Sequence, residues 1–194
     1  GDGETVISNE LLELTVSNKG GYISEAELLK YKTYDSIPVY LIKEGNANFN
    51  LTLLTSDGRT LNTKDLYFEP NVIRNGDNTI LSMKLKVSED DFLEYVYTLK
   101  PKEYMLDFKI RSQGLAEVLR DEPVQLNWEL TAYRNEKSIS YENRYTELIF
   151  EYDDGADDYL GQQESTDDEE VDVTYIAFKQ HFFTSILLTD EPFE

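Results

Sequence analysis

Among the 194 residues there is a single histidine, His181, and no cysteine. Proton-transfer chemistry needs a base and an acid held at one point, and on a sugar this is commonly a glutamate with two histidines. A lone imidazole between Gln180 and Phe182 cannot fill a two-histidine role, and in an aromatic segment it reads as a structural or surface residue. The absence of cysteine removes disulfides, thiolate nucleophiles and cysteine metal sites. The sequence therefore assigns no catalytic, cofactor-binding or metal-ligating residue, and a non-enzymatic protein is expected.

Carboxylates are the other candidate chemistry. Asp153, Asp154, Asp157 and Asp158 crowd around Gly155 and Ala156, and calcium takes several oxygens from one short loop. Their spacing is not that of an EF-hand, whose ligands alternate with a glycine at the sixth position. A solvated acidic loop is the preferred reading, and Asp167, Asp168, Glu169 and Glu170 receive the same one. Trp128, Tyr95 and Tyr97 could line a sugar or peptide cleft, but their alternation fits a core equally well and packing is the default. Asn50-Leu51-Thr52 matches a glycosylation sequon, a pattern common by chance.

The elements that would position these residues are strands. Leu12, Leu14 and Val16 share one face, and Leu81, Met83, Leu85 and Val87 share another with Ser82, Lys84 and Lys86 opposite, on the wet side. Leu93, Tyr95, Tyr97 and Leu99 repeat the pattern, as do Tyr104, Leu106, Phe108 and Ile110 against Asp107, Lys109 and Arg111. Lys100-Pro101-Lys102-Glu103 breaks between the last two runs, and Asn75-Gly76 and Asp57-Gly58 are hairpin dipeptides. Leu126 to Ala132 adds a further strand. Helix is scarce: Ser24 to Tyr31 is the best stretch for one, yet the strand reading of Tyr22 to Leu28 is stronger. A one-faced sheet must be covered, so an all-β antiparallel sandwich is expected, in one domain over residues 1–194.

Thirty-nine acidic against 18 basic residues give a net charge of -21. That charge repels nucleic acid and disfavours adsorption to anionic lipid. The densest apolar run, Phe182 to Leu188, is far short of the ~20 residues of a spanning helix. No basic-plus-apolar leader opens the chain, and Gly1 to Gly3 are expected to be a linker or a remnant of excision from a longer protein. Glu151 to Val173 is too hydrophilic to bury, and a mobile acidic loop is expected over residues 153–170.

The most distinctive motif is a turn. In "VSNKGGYISEAELLKYKTY", Val16 to Tyr34, the Asn18-Lys19-Gly20-Gly21 segment lets the backbone reach positive φ between two strands. With Glu4 to Tyr34 around it, Phe92 to Ile110 in the middle and Thr174 to Leu188 near the end, the chain resembles the large periplasmic domain of the YidC insertases, of the YidC/Oxa/Alb family of Gram-negative bacteria. It departs from that pattern at Tyr175, where a tryptophan is common, and in the acidic insertion from Asp153 to Glu170.

The resemblance implies a β-supersandwich of the galactose-mutarotase-like kind, tethered at the periplasmic face of the inner membrane by transmembrane helices outside this chain. It implies a non-catalytic accessory role beside the Sec translocon, with SecDF and nascent membrane proteins as partners and no cofactor. The insertase groove lies in the part of the family's proteins not present here, so none of its residues maps onto this sequence. A carbohydrate-binding or inactive mutarotase-like module is the alternative, and a calcium-dependent surface module a third. No partner-binding residue can be named, because exposed and covered edge strands alternate alike.

Overall fold

Period-two alternation becomes fifteen strands in the computed structural model, which describes residues 1–153, 155–161 and 169–193. In chain order they are β1 (Glu4–Ser8), β2 (Leu12–Ser17), β3 (Ile23–Lys32), β4 (Pro38–Ile42), β5 (Ala47–Leu54), β6 (Thr60–Asn62), β7 (Glu69–Asn75), β8 (Asn78–Lys86), β9 (Phe92–Leu99), β10 (Leu106–Gln113) and β11 (Gln125–Leu130). After a single-turn helix α1 (Ile139–Glu142) follow β12 (Glu147–Tyr152), β13 (Ala156–Gly161), β14 (Val173–Lys179) and β15 (Thr184–Phe193). Among the described residues, α1 and two 3-10 turns are all the helix there is. Ser24 to Tyr31, the best helical candidate, lies wholly within β3.

The chain divides into two compact units, Gly1–Tyr31 with Pro38–Thr131, and Lys32–Ile37 with Ala132–Glu194. The first holds three antiparallel sheets, ordered β1-β2-β3-β4, β10-β9-β8-β7 and β11-β5-β6. Leu81, Met83, Leu93, Tyr95, Tyr97 and Leu99 form the buried face of the second sheet. Phe49 of β5 meets Tyr95 and Phe108 edge-on at 6.0 and 5.5 Å, and Phe68 stacks on Tyr95 at 4.8 Å. These rings clamp one sheet on another as in a sandwich, each pair adding about 0.5–1.5 kcal/mol beyond area burial.

The turns behave as their residues require. Gly76 (φ 61°) closes the β7–β8 hairpin, Gly58 (φ 85°) the β5–β6 hairpin, and Pro101 sits in the β9–β10 connection. Gly1 to Gly3 are exposed, and two of them are hydrogen-bonded: the Gly3 carbonyl accepts from Asn18 N at 2.9 Å, and Asp2 accepts from the Tyr67 hydroxyl at 2.9 Å.

The second unit carries one sheet, ordered β13-β12-β14-β15. Part of the acidic stretch expected to be a loop is a strand, because Ala156 to Gly161 pairs residue for residue with Tyr152 to Glu147. Tyr159 and Leu160 supply the ring and aliphatic surface that a β-hairpin can use. Residues 154 and 162–168, the rest of that stretch's centre, lie outside the described residues. The other departure is Ser82, placed by alternation on a wet face but buried in the structure. Its hydroxyl is tied to a buried carboxylate on the neighbouring strand, Glu94.

Candidate docking surfaces

The residues singled out for chemistry do not converge. Tyr95 and Tyr97 are core residues, and Trp128 is half-buried on β11 opposite Phe49. Burial pushes the Tyr95 phenol up to about 12, slightly offset by the Thr63 hydroxyl. Burial also holds the Tyr97 phenol well above its ordinary value, with the neighbouring Tyr95 adding to the effect. Asn50 is only 2% exposed. Its amide donates to Asn62 Oδ1 at 3.1 Å and its carbonyl accepts from Lys64 N at 3.1 Å, so the sequon is internal structure, not an acceptor.

His181 sits in an aromatic nest of the second unit. Its ring stacks on Tyr145 at 4.5 Å, meets Tyr141 edge-on at 5.3 Å and touches Phe182 at 4.0 Å. Nδ1 is buried without a hydrogen bond and lies 3.8 Å from Glu136 Oε1. Packing against the three rings accounts for the position of His181.

The acidic cluster is dispersed by the β12–β13 hairpin. Asp157 accepts from the Tyr175 hydroxyl at 2.9 Å, which pushes that phenol upward, while Asp158 accepts from Tyr159 N at 2.7 Å. Among the described residues no three metal-capable side chains gather. Asp154, Asp167 and Asp168 lie outside those residues.

Two surfaces remain that can receive a partner. On the outer face of the β10-β9-β8-β7 sheet, Glu94 is 3% exposed and accepts from Ser82 Oγ at 2.5 Å and Arg111 Nη2 at 2.6 Å, with Lys84 Nζ at 4.0 Å. The pairings Lys84 with Glu94 and Glu94 with Arg111 make this one cross-strand row. A buried carboxylate on a solvent-facing sheet is stable only when so partnered. Glu69 of β7 stands opposite Lys84, so the full row alternates two carboxylates with two cations.

The second surface is the sheet of the second unit. Register places Tyr159, Ile149, Ala177 and Ile186 in one apolar cross-strand row. A polar row lies on either side of it. One runs from Glu147 to Lys179, ion-paired at 2.6 Å, and ends at Thr184. The other runs from Asp157 through Glu151 and Tyr175 to Leu188. Tyr159 is 61% exposed, Ile186 44% and Leu188 50%, so this face presents large apolar groups to solvent.

Sequence reasoning missed both surfaces. Their signal lies in cross-strand register, which becomes visible only once strands are paired.

The sequence family described as the YidC periplasmic domain matches residues 4–194, running through both units. Membrane protein insertase YidC of Parabacteroides distasonis is 37% identical over 98% of this chain, that of Porphyromonas gingivalis 35% over 97%, and that of Bacteroides fragilis 34% over 98%. The chain spans 30%, 30% and 31% of those relatives' lengths. Matches of this kind place it on the periplasmic side of the inner membrane. With all-β antiparallel sheets, the paired-glycine turn and a family match from Glu4 to its last residue, the chain belongs to the YidC periplasmic domain family.

Proposed function

We propose that this chain is a non-catalytic docking domain of a YidC-type membrane protein insertase, which supports insertion and folding of inner-membrane proteins beside the Sec translocon. The observation that carries this reading is the family match over residues 4–194, a segment that makes up under a third of each insertase it resembles. The exposed apolar row through Tyr159 and Ile186 suits a role in contact with other proteins. Partners in this reading are the SecDF component and nascent membrane proteins, with the tether supplied by transmembrane helices beyond this chain. The two units act in it as one periplasmic domain.

Deletion of residues 4–194 from the full-length insertase tests the reading. Two quantities are measured: membrane insertion of an inner-membrane substrate, and SecDF recovered with the purified insertase. Recovery of SecDF is expected to fall while insertion largely persists. Undiminished SecDF recovery would sink the reading.

A further inference from the structure

A strand at the end of a sheet exposes a row of unpaired N–H and C=O groups, and natural proteins blunt such edges with charge, proline, bulges or short length. Among the described residues, eight strands end the four sheets. Glu4 marks β1, Pro38 starts β4, β6 is three residues long, and Glu69, Pro70 and Arg74 mark β7. Asp107, Lys109 and Arg111 mark β10, Glu129 marks β11, and Asp157 and Asp158 mark β13. Of these edges β15 has the longest run free of charge and proline, longer than Thr5–Ser8 of β1 or Val39–Ile42 of β4. The second half of β15 is irregular, with a register shift and with Asp190, Glu191 and Pro192, but Thr184 to Leu188 is regularly paired to β14, free of charge and free of proline. Ile186 and Leu188 project from that open half into solvent.

We propose that the outer edge of Thr184–Leu188 is a strand-addition site for an extended, cationic polypeptide segment with alternating apolar residues. Backbone pairing along β15 would supply affinity, and side chains would alternate as any strand's do. An apolar residue of the incoming segment continues the row of Tyr159, Ile149, Ala177 and Ile186. Charge selects the occupant. Strands β12 to β15 carry six carboxylates and one lysine, Lys179, which is already paired to Glu147. A second copy of the chain would bring a further charge of -21 to the same edge, which repels it. A lysine- or arginine-bearing segment is attracted instead.

The inference rests on the docking role proposed above and names one surface for it. A short fluorescent peptide alternating lysine, valine and threonine is titrated into the 194-residue chain, beside a counterpart with glutamate for lysine. Backbone amide exchange is followed over residues 184–188. Binding of the lysine peptide, slowed exchange along Thr184–Leu188, and at least ~10-fold weaker binding by I186K and by L188K, each with an unchanged melting temperature, are the expected results. Equal binding of the glutamate peptide, binding without protection of β15, or no binding overturns the site. So does a dimer in sedimentation that L188K dissociates. None of these outcomes touches SecDF recovery or insertion, so the site can fail while the docking role stands.

Discussion

The Tyr97 hydroxyl donates to the Gly21 carbonyl oxygen across 2.7 Å, joining a central strand of one sheet to the turn between β2 and β3, 76 residues earlier. Around this bond the turn is held from the other side as well. Gly20 N donates to Leu66 O at 2.8 Å, and Phe68 N donates to Asn18 O at 2.7 Å. The paired-glycine turn is thus an anchor inside the first unit, which explains why so distinctive a motif carries no reactive group.

Tyr97→Phe keeps the ring and its stacking on Phe108 at 4.8 Å while leaving the Gly21 carbonyl, in a buried residue, without that donor. An unsatisfied buried acceptor costs about 1–3 kcal/mol. Urea unfolding of the variant is expected to show a loss of that size with an unchanged m-value. A loss well under 0.5 kcal/mol would mean the bond is not holding the turn.

Gly21→Ala should cost more than Gly76→Ala. Both glycines adopt positive φ, 67° and 61°, so each alanine bears the left-handed penalty of about 1–2 kcal/mol. At Gly21 an added Cβ would also lie 2.9 Å from the Phe68 ring, whereas at Gly76 nothing lies within 4 Å. Melting temperatures measured side by side check the ordering, and equal shifts would refute the steric part.

Much of the fold was readable before any strand was paired. Leu12, Leu14 and Val16 announced a buried face, and Asn75-Gly76 and Lys100-Pro101 announced hairpins, because each signal is local and enforced by pleat and dihedral. Alternation alone puts Ser82 on a wet face, since it cannot show that Glu94 and Arg111 come to lie beside it on the next strands. The strand of Ala156 to Gly161 hid for a different reason: its aspartates dominate composition, while its pairing with Glu147 to Tyr152 is long-range information. The order that leaves β15 at an end is likewise a property of topology.

Arg111→Ala leaves the Glu94 carboxylate with the Ser82 hydroxyl and with Lys84 at 4.0 Å. A hydrogen bond to a charged group is worth about 1.5–3 kcal/mol, and the solvent exposure of Arg111 reduces this toward the lower end in salt. The expected loss is about 1–2 kcal/mol, smaller at high ionic strength. Glu94→Gln combined with Arg111→Ala should lose less than the sum of the two single changes, since both remove one interaction. Additive losses in a urea double-mutant cycle would show that the two side chains do not cooperate.

Alkaline pH should unfold this protein through its buried phenols. In the unfolded chain a tyrosine gives up its proton near pH 10, whereas Tyr95 holds it to about 12 and Tyr97 is held well above 10. Between those values the unfolded state binds fewer protons than the native state, so stability is fully present below pH 10 and falls as pH rises above it. For Tyr95 alone the fall reaches about 2–3 kcal/mol by pH 12, at roughly 1.4 kcal/mol per unit. Tyr97→Phe starts less stable at neutral pH but removes one of the two phenols, so its stability declines with a shallower slope above pH 10. Urea midpoints measured from pH 8 to 11.5 check this, and parallel slopes for the two proteins would show that the Tyr97 phenol is not protected by the fold.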